Sequence, residues 1–368
     1  MVRFPQFRPT ILTVVPAALL LVVLGGCASQ MNTFDPKSDT TDSILTIYII
    51  TIVAASLVGV AVLGAMAWLL WRYRERDGVS ARQIHGNTRL EIAWTIAPVL
   101  VLLVITIPTL VWVAHSEDRP ASMAQNINEV GVPGKGLEVI AIGHQWWFEF
   151  RYPGLGPDGA DLVTANELHV PDGVDVAILL KSDDVIHSFW VPQLVGKTDM
   201  IPGRENILHT FRPNEVGSFF GQCVEFCGSA HALMQFRVEV ETLGNFVTWV
   251  GAHNAGAAAP EPGTAAFRGS LLVGACAQCH TIQGTGLAGE VGPNLTLFGE
   301  RSTLAAGIME NTDANLRQWI GDLRSIKPIP LPFEAPTGDQ PLFMPQYNEL
   351  LDEAQIADIA AYLRSLTK

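Results

Sequence analysis

The chain is 368 residues long, 48% apolar, and carries a formal net charge of −13. That acidity argues against a nucleic-acid partner, whose phosphates call for a basic face, and the length leaves room for a membrane segment and two further domains. The five cysteines are few enough to follow one by one.

Residues 1–26 read as a secretory signal: Arg3 and Arg8, an apolar run over 11–24, then Leu24-Gly25-Gly26-Cys27. A Cys directly after the cut has the form of a bacterial lipoprotein site, which makes Cys27 the lipidated first residue of the mature chain. An uncleaved signal with a spare thiol is the alternative. Residues 27–43 follow as a short periplasmic segment. Two stretches, 44–71 and 92–114, hold no charge, and each exceeds the roughly 20 residues that cross a bilayer. They predict a transmembrane helix hairpin over 44–114. Arg72, Arg74, Arg76, Arg82 and Arg89 mark the connection as cytoplasmic and place the chain beyond about His115 outside. Pro98 and Pro108 free backbone carbonyls in the second span, a sign that it packs against another membrane subunit.

Over 115–250 the pattern changes to short apolar runs broken by turn residues, at 137–143, 146–152, 166–171, 174–181, 206–211, 217–222 and 235–240. These predict the strands of an antiparallel β-sandwich. Its most informative segment is Cys223-Val-Glu225-Phe-Cys227-Gly-Ser-Ala-His231-Ala-Leu-Met234. Two thiols, an imidazole and a thioether in one loop point to copper. Two Cys four apart can bridge a pair of coppers, and His187, in Asp184-Val-Ile-His187-Ser-Phe-Trp190-Val-Pro192, is placed to serve the second metal. A structural zinc held by Cys223, Cys227, His231 and one more ligand is the competing reading, against which Met234 argues.

Residues 251–264, rich in Ala, Gly and Pro, read as a flexible linker with a span of roughly 20 Å. The segment 265–368 opens on Cys276-Ala-Gln-Cys279-His280, where two thiols can take up haem vinyl groups and the His reaches the iron. Gly292-Pro293-Asn294-Leu295, Trp319, Phe343-Met344-Pro345 and an amphipathic run over 352–366 follow in the order a small all-α cytochrome needs, with Met344 as sixth ligand. Met309, in Ala-Gly-Ile-Met309-Glu, reads as a helix-face residue, and no βαβ pattern supports a thioredoxin-like pair.

Together with Gly143-His144-Gln145-Trp146-Trp147 and Asp199-Met-Ile-Pro-Gly203-Arg204, these motifs resemble subunit II of haem-copper cytochrome c oxidases of the caa type, over nearly the whole length. The fold class that follows is multidomain: a two-helix transmembrane hairpin, an all-β cupredoxin-like sandwich, and an all-α class I cytochrome c domain. The resemblance implies that Cys223 and Cys227 bridge the binuclear copper A centre and that His187 and His231 cap one copper each. Met234 is then a weak axial ligand, and the carbonyl of Glu225 ligates one copper while its side chain faces a magnesium shared with subunit I. It makes Trp146 the gateway tryptophan, although Trp147-Phe148 replaces the Tyr-Trp of many members. It also places Glu91 at the mouth of a proton-uptake path in subunit I; a solvated Glu opening a helix is the plainer reading.

The resemblance implies one covalent haem c, reduced by a cytochrome c or by a quinol:cytochrome c reductase. Electrons would pass to the copper pair and on to subunit I, where oxygen is reduced and protons are translocated across the bacterial inner membrane. The alternatives are a nitrous-oxide reductase, which lacks the hairpin; a copper A subunit of a nitric-oxide reductase; and, from another class, a membrane-tethered copper-binding or metallochaperone protein, whose thiols should be exposed.

Overall fold

The computed structural model describes residues 30–74, 86–115, 122–208, 210–329 and 343–368. The signal-peptide and Cys27 readings, and most of the Arg-rich connection, lie outside the described residues. Helix α1 (Asp39–Arg72) and helix α2 (Thr88–His115) are apolar on every side and long enough to cross a membrane. Helix α1 begins five residues before the expected span. Ser38 and Thr41 form a capping box there, and the same hydroxyls reach into the next domain: Ser38 Oγ donates to the Leu194 carbonyl at 2.5 Å and Thr41 Oγ1 to that of Gln193 at 2.8 Å. Helix α1 is therefore joined to the sandwich by its cap. Pro98 and Pro108 lie inside α2.

The sandwich comprises β1 (Ser122–Met123), β2 (Lys135–His144), β3 (Trp147–Tyr152), β4 (Leu162–Ala165), β5 (Glu167–Pro171), β6 (Val176–Ser182), β7 (His187–Val191), β8 (Val195–Met200), β9 (Asn206–Ile207), β10 (Gly217–Gln222) and β11 (Gln235–Glu241). One sheet has the order β4-β3-β2-β6-β9, with β1 beside β2; a second runs β10-β11-β5; β7 and β8 form a hairpin of their own. The expected all-antiparallel arrangement is corrected here, because β2 pairs parallel with β6 and β5 parallel with β11. Strand alternation sets the inner face: Phe236, Val238 and Val240 of β11 are buried while Arg237, Glu239 and Glu241 between them are not fully so. Phe148, Phe150, Phe189 and Phe236 form the centre, with Phe189 and Phe236 ring centroids 4.7 Å apart.

Helix α3 (Leu243–Ala255) continues the sandwich and runs past residue 250, so the start of the expected linker is helical. Thr242 caps it, and Phe246, Trp249, Val250 and His253 form its buried stripe. It stops at Gly256, whose φ of 75° places it in the left-handed region; a Cβ there would lie 2.4 Å from the Gln283 carbonyl oxygen. Ala257 N–H donates to that carbonyl at 2.8 Å. The linker is thus fastened to the last domain at its first turn, not loose throughout.

That domain holds α4 (Ala265–Leu272), β12 (Thr303–Leu304), β13 (Met309–Glu310), α5 (Asp313–Gly321) and α6 (Glu353–Ser365). Helix α6 starts at the Asp352–Gln355 capping box and buries Ile356, Ile359, Ala360, Tyr362 and Leu363, as the amphipathic run predicts. It crosses α4 at Gly269, where a Cβ would come within 2.0 Å of the Asp358 carbonyl oxygen. Met309 lies in strand β13, not on a helix face.

Candidate metal centres and the seam between them

The loop between β10 and β11 folds Cys223 and Cys227 against each other, with their sulfurs 3.8 Å apart and shielded from solvent. Strand β7 begins at His187 and brings Nδ1 of its ring to 4.0 Å from the Cys223 sulfur. The ring's other nitrogen, Nε2, is 2.7 Å from the Asp184 carboxylate. A carboxylate only accepts, so it selects the tautomer that leaves Nδ1 its lone pair. A short turn over His231–Leu233 puts His231 Nδ1 at 3.5 Å from the Cys227 sulfur. The Met234 thioether, fully buried, is 3.8 Å from that same sulfur. The Glu225 carbonyl accepts from the Cys223 thiol at 3.3 Å, while the Glu225 carboxylate lies 3.4 Å from Lys197 Nζ. All six residues expected around the copper therefore converge.

Charge makes the site a cation receptor. Hydrogen bonding to Cys227 outweighs burial and, with His187, draws the pKa of Cys223 far down; hydrogen bonding to Cys223, together with burial, pushes that of Cys227 far up. One thiolate forms easily and the second does not until positive charge enters between them. Burial opposes protonation of His187, yet Asp184 and Cys223 together raise its pKa above 6.5; burial opposes ionisation of Asp184, but His187 and two backbone N–H groups lower it. Two sulfurs, two imidazoles, a thioether and a carbonyl suit a copper pair. The closed thiols are the opposite of what an exchanging metallochaperone presents.

In the last domain Cys276, Cys279 and His280 lie on one turn, with His280 N–H bonded to the Cys276 carbonyl at 2.9 Å. His280 Nδ1 donates to the Pro293 carbonyl at 2.7 Å, so Nε2 is left as the free ligand. Gly292 makes room for the ring: a Cβ there would stand 2.8 Å from His280 Cε1. Burial raises the pKa of Cys276 and lowers that of His280, so the imidazole is neutral and ready for a metal. Met344 is half-buried in the segment that re-enters at Phe343. The cradle fits a covalently attached haem.

The sequence motifs assign roles to Trp146 and Glu91 but none to Asp184, Ser188, Gln145, Phe343 or Lys327. For Asp184 the available sign is its place three residues before His187. Ser188 Oγ accepts from Val224 N–H at 2.7 Å and ties β7 to the cysteine loop. Trp146 is 5% exposed, and its indole N–H donates to the Cys227 carbonyl at 2.9 Å, alongside Gln145 Nε2 at 2.7 Å. Phe343 stacks on Trp146, and Lys327 Nζ donates to the Trp146 carbonyl at 2.7 Å. Glu91 is exposed in the first turn of α2, where Asn87 caps the backbone; no described residue gives it a charge partner.

Three families match successive parts of the chain: the transmembrane domain of cytochrome C oxidase subunit II over residues 26–111, its periplasmic domain over 157–241, and cytochrome c over 266–367. Cytochrome c oxidase subunit 2 of Alkalihalophilus pseudofirmus is 34% identical over 357 residues, covering 95% of this chain and 96% of its own. The protein of the same name from Bacillus subtilis is 30% identical over 325 residues, covering 84% and 88%.

Proposed function

The chain belongs to the cytochrome c oxidase subunit II family, with a cytochrome c domain joined behind it, and on that premise we propose that it carries single electrons from a cytochrome c, or from a quinol:cytochrome c reductase, to subunit I. His187, Cys223, Cys227, His231, Met234 and the Glu225 carbonyl would hold a copper pair, and Cys276, Cys279, His280 and Met344 a haem; when bound, these groups would supply reversible one-electron chemistry. The residues of the chain would hold these groups still. Asp184 and Pro293 fix the two imidazole tautomers, Ser188 fixes the cysteine loop, and the aromatic centre beneath keeps water from the sulfurs. A site that neither moves nor floods on gaining charge needs little rearrangement, which is what fast one-electron exchange requires.

The observation that carries this reading is the pair of buried sulfurs 3.8 Å apart, flanked by two imidazoles and a thioether. The oxygen chemistry and proton translocation belong to subunit I, with both metal domains on the external side of the bacterial inner membrane. Glu91 is assigned to the mouth of the proton path and Trp146 to electron passage. The Glu225 carboxylate, beside Lys197 and Asp199, is the candidate magnesium ligand, and Cys27 the lipidation site. Purification of the oxidase complex, with metal analysis and absorption spectroscopy, tests the assignment. Two coppers per chain, a purple mixed-valence species and covalent haem on a denaturing gel are expected. One tightly held zinc without a mixed-valence signal overturns it.

A further inference from the structure

On the outer face of the β10-β11-β5 sheet lies a cavity of about 230 Å³. Glu239 and Glu241 of β11 stand two apart in the strand and so share a face, and His169 of β5 is the Cα partner of Glu239. All three line the cavity, together with Glu167, two residues before His169. The histidine is held in place by its surroundings. The Tyr152 hydroxyl accepts its backbone N–H at 2.8 Å and donates to its carbonyl at 2.9 Å, and its ring stacks on Trp249 with centroids 4.2 Å apart. Nε2 faces the Glu167 carboxylate at 3.9 Å, and Nδ1 faces that of Glu241 at 3.5 Å.

The charges around this cavity do not cancel. Glu300 is paired with Lys368, and Glu167 accepts from Ser302 N–H and Oγ and lies near Arg301. Arg237, two residues before Glu239, lies over the Phe220 ring and donates to the Phe236 carbonyl. Among the described residues, Glu239 bonds to the Ser218 hydroxyl at 2.6 Å and Glu241 meets His169, and neither forms a salt bridge with a Lys or Arg. Burial, reinforced by Glu167 and Glu241, raises the pKa of Glu239, as expected of negative charges crowded without a cation. Three buried atoms here have no hydrogen-bond partner: Nδ1 of His169, Oε2 of Glu241, and Nε2 of His253, a residue only 4% exposed that walls the same cavity.

We propose that the cavity binds one divalent cation of the zinc class, with His169 Nδ1 and Glu241 as ligands, Glu239 as a third on turning from Ser218, and water completing the shell. Spacing decides between a cation and a shared proton. At 3.5 Å the ring nitrogen and the carboxylate oxygen are too far apart for a good hydrogen bond, whereas two ligands of a tetrahedral zinc, each about 2.1 Å from the metal, stand about 3.4 Å from one another. With the Nε2 proton directed at Glu167, Nδ1 turns a lone pair toward a carboxylate, and two acceptors face each other unless positive charge lies between them. A ring nitrogen among the donors selects zinc or a neighbouring transition metal over calcium or magnesium, which take oxygen. Two carboxylates match a charge of two, and His253 Nε2 is left to accept from a water of the shell. None of the proposed copper and haem ligands lines the cavity, so the site stands independently of the functional reading.

Zn²⁺ titrated calorimetrically into the purified full-length protein, loaded with copper beforehand so that the thiols are occupied, tests the site. Glu241→Gln and His169→Gln should each weaken one equivalent of zinc by more than about tenfold relative to wild type, while haem and copper absorption stay unchanged. X-ray absorption at the zinc edge should show one imidazole nitrogen among oxygens in the wild type and none in His169→Gln. Glu241→Gln is isosteric and keeps the packing, so the result does not hang on the fold of the histidine variant. A wild type that takes up no such equivalent overturns the proposal and leaves His169 and Glu241 sharing a proton. An equivalent that either variant retains at full affinity overturns it as well, because the ion is then bound elsewhere. Failure of the functional reading looks different: copper or haem absorption is missing, while the loss of zinc on substitution persists.

Discussion

Nε2 of His187 and the carboxylate of Asp184 are 2.7 Å apart, three residues from each other in the chain, and the carboxylate also accepts the backbone N–H of Gln145 at 2.6 Å and of Val185 at 2.6 Å. One side chain thus sets the tautomer of a metal-facing imidazole and pins the turn that leads to Trp146. Asp184→Asn replaces an obligate acceptor by a group that can also donate, so the ring loses its selected tautomer. Copper affinity should fall by roughly 10- to 100-fold, the usual penalty for losing the hydrogen-bond partner of a ligating His. Competitive copper titration measures it, and an unchanged affinity with an unchanged fold removes Asp184 from the site's design.

The copper domain needs helix α3. Phe246 is fully buried and Trp249 nearly so, both in the core of the sandwich. Deleting a buried aromatic side chain costs about 3–5 kcal/mol, against a total stability of about 5–15 kcal/mol for a domain. A fragment of residues 122–255 should therefore melt cooperatively by circular dichroism and hold two coppers, whereas 122–243 should be largely unfolded. In the longer fragment Cys223→Ser or Cys227→Ser should abolish the mixed-valence species, because a single thiolate cannot bridge. Equal melting of the two fragments would sink the role given to α3.

What the sequence made legible was local. The cysteine loop carries its donors within twelve residues, and Cys276, Cys279 and His280 lie on one turn. Strand β11 announces itself by alternation. The hairpin of β7 and β8 does not, because Val195–Met200 mixes Gly, Lys, Thr and Asp, and His187–Val191 stands out only for its imidazole. The sequence places the end of the copper domain at residue 250, inside helix α3, because the helix's last residues include Gly and Ala, the letters of a linker, although His253 completes the stripe begun by Phe246. The contact of Lys327 with Trp146 is invisible for a different reason: the two are 181 residues apart, and no local pattern reports which distant carbonyl will meet a buried lysine.

Met344 and Met309 compete for the haem iron on sequence, and they are separable by spectrum. Met309 lies in β13, paired with β12 and packed against the hydrophobic core of its domain. Met344 follows the residue that stacks on Trp146. Met344→Ala should remove the sulfur-to-iron absorption band of the oxidised protein and lower the haem potential, since a thioether ligand raises it. Met309→Ala should keep the band and lower the melting temperature instead. The reverse outcome exchanges their roles.

His253 gives the chain an acid-sensitive point away from the copper and haem sites. Its imidazole is buried near the Trp249 ring, with Nε2 lacking a hydrogen-bond partner. Burial, with help from Arg301 and His169, pushes its pKa down to about 3. The unfolded chain takes up this proton near pH 6.5 and the folded chain only near 3, so between those values the unfolded state holds more protons and every step toward acid favours unfolding. The stability it contributes is present above pH 6.5 and lost as the pH falls toward 3. Other groups act in the same range: Asp184 and Glu149, lowered, act in the same sense, and Glu239, raised by burial, in the opposite one. All three are shared by wild type and a His253→Gln variant and drop out of the difference between them. Denaturant unfolding of the two full-length chains across pH 4.5–6.5 should show the wild type losing up to about 1.4 kcal/mol per pH unit more than the variant, the value for one proton. Parallel pH profiles would mean that His253 is protonated, or reached by water, in the folded chain.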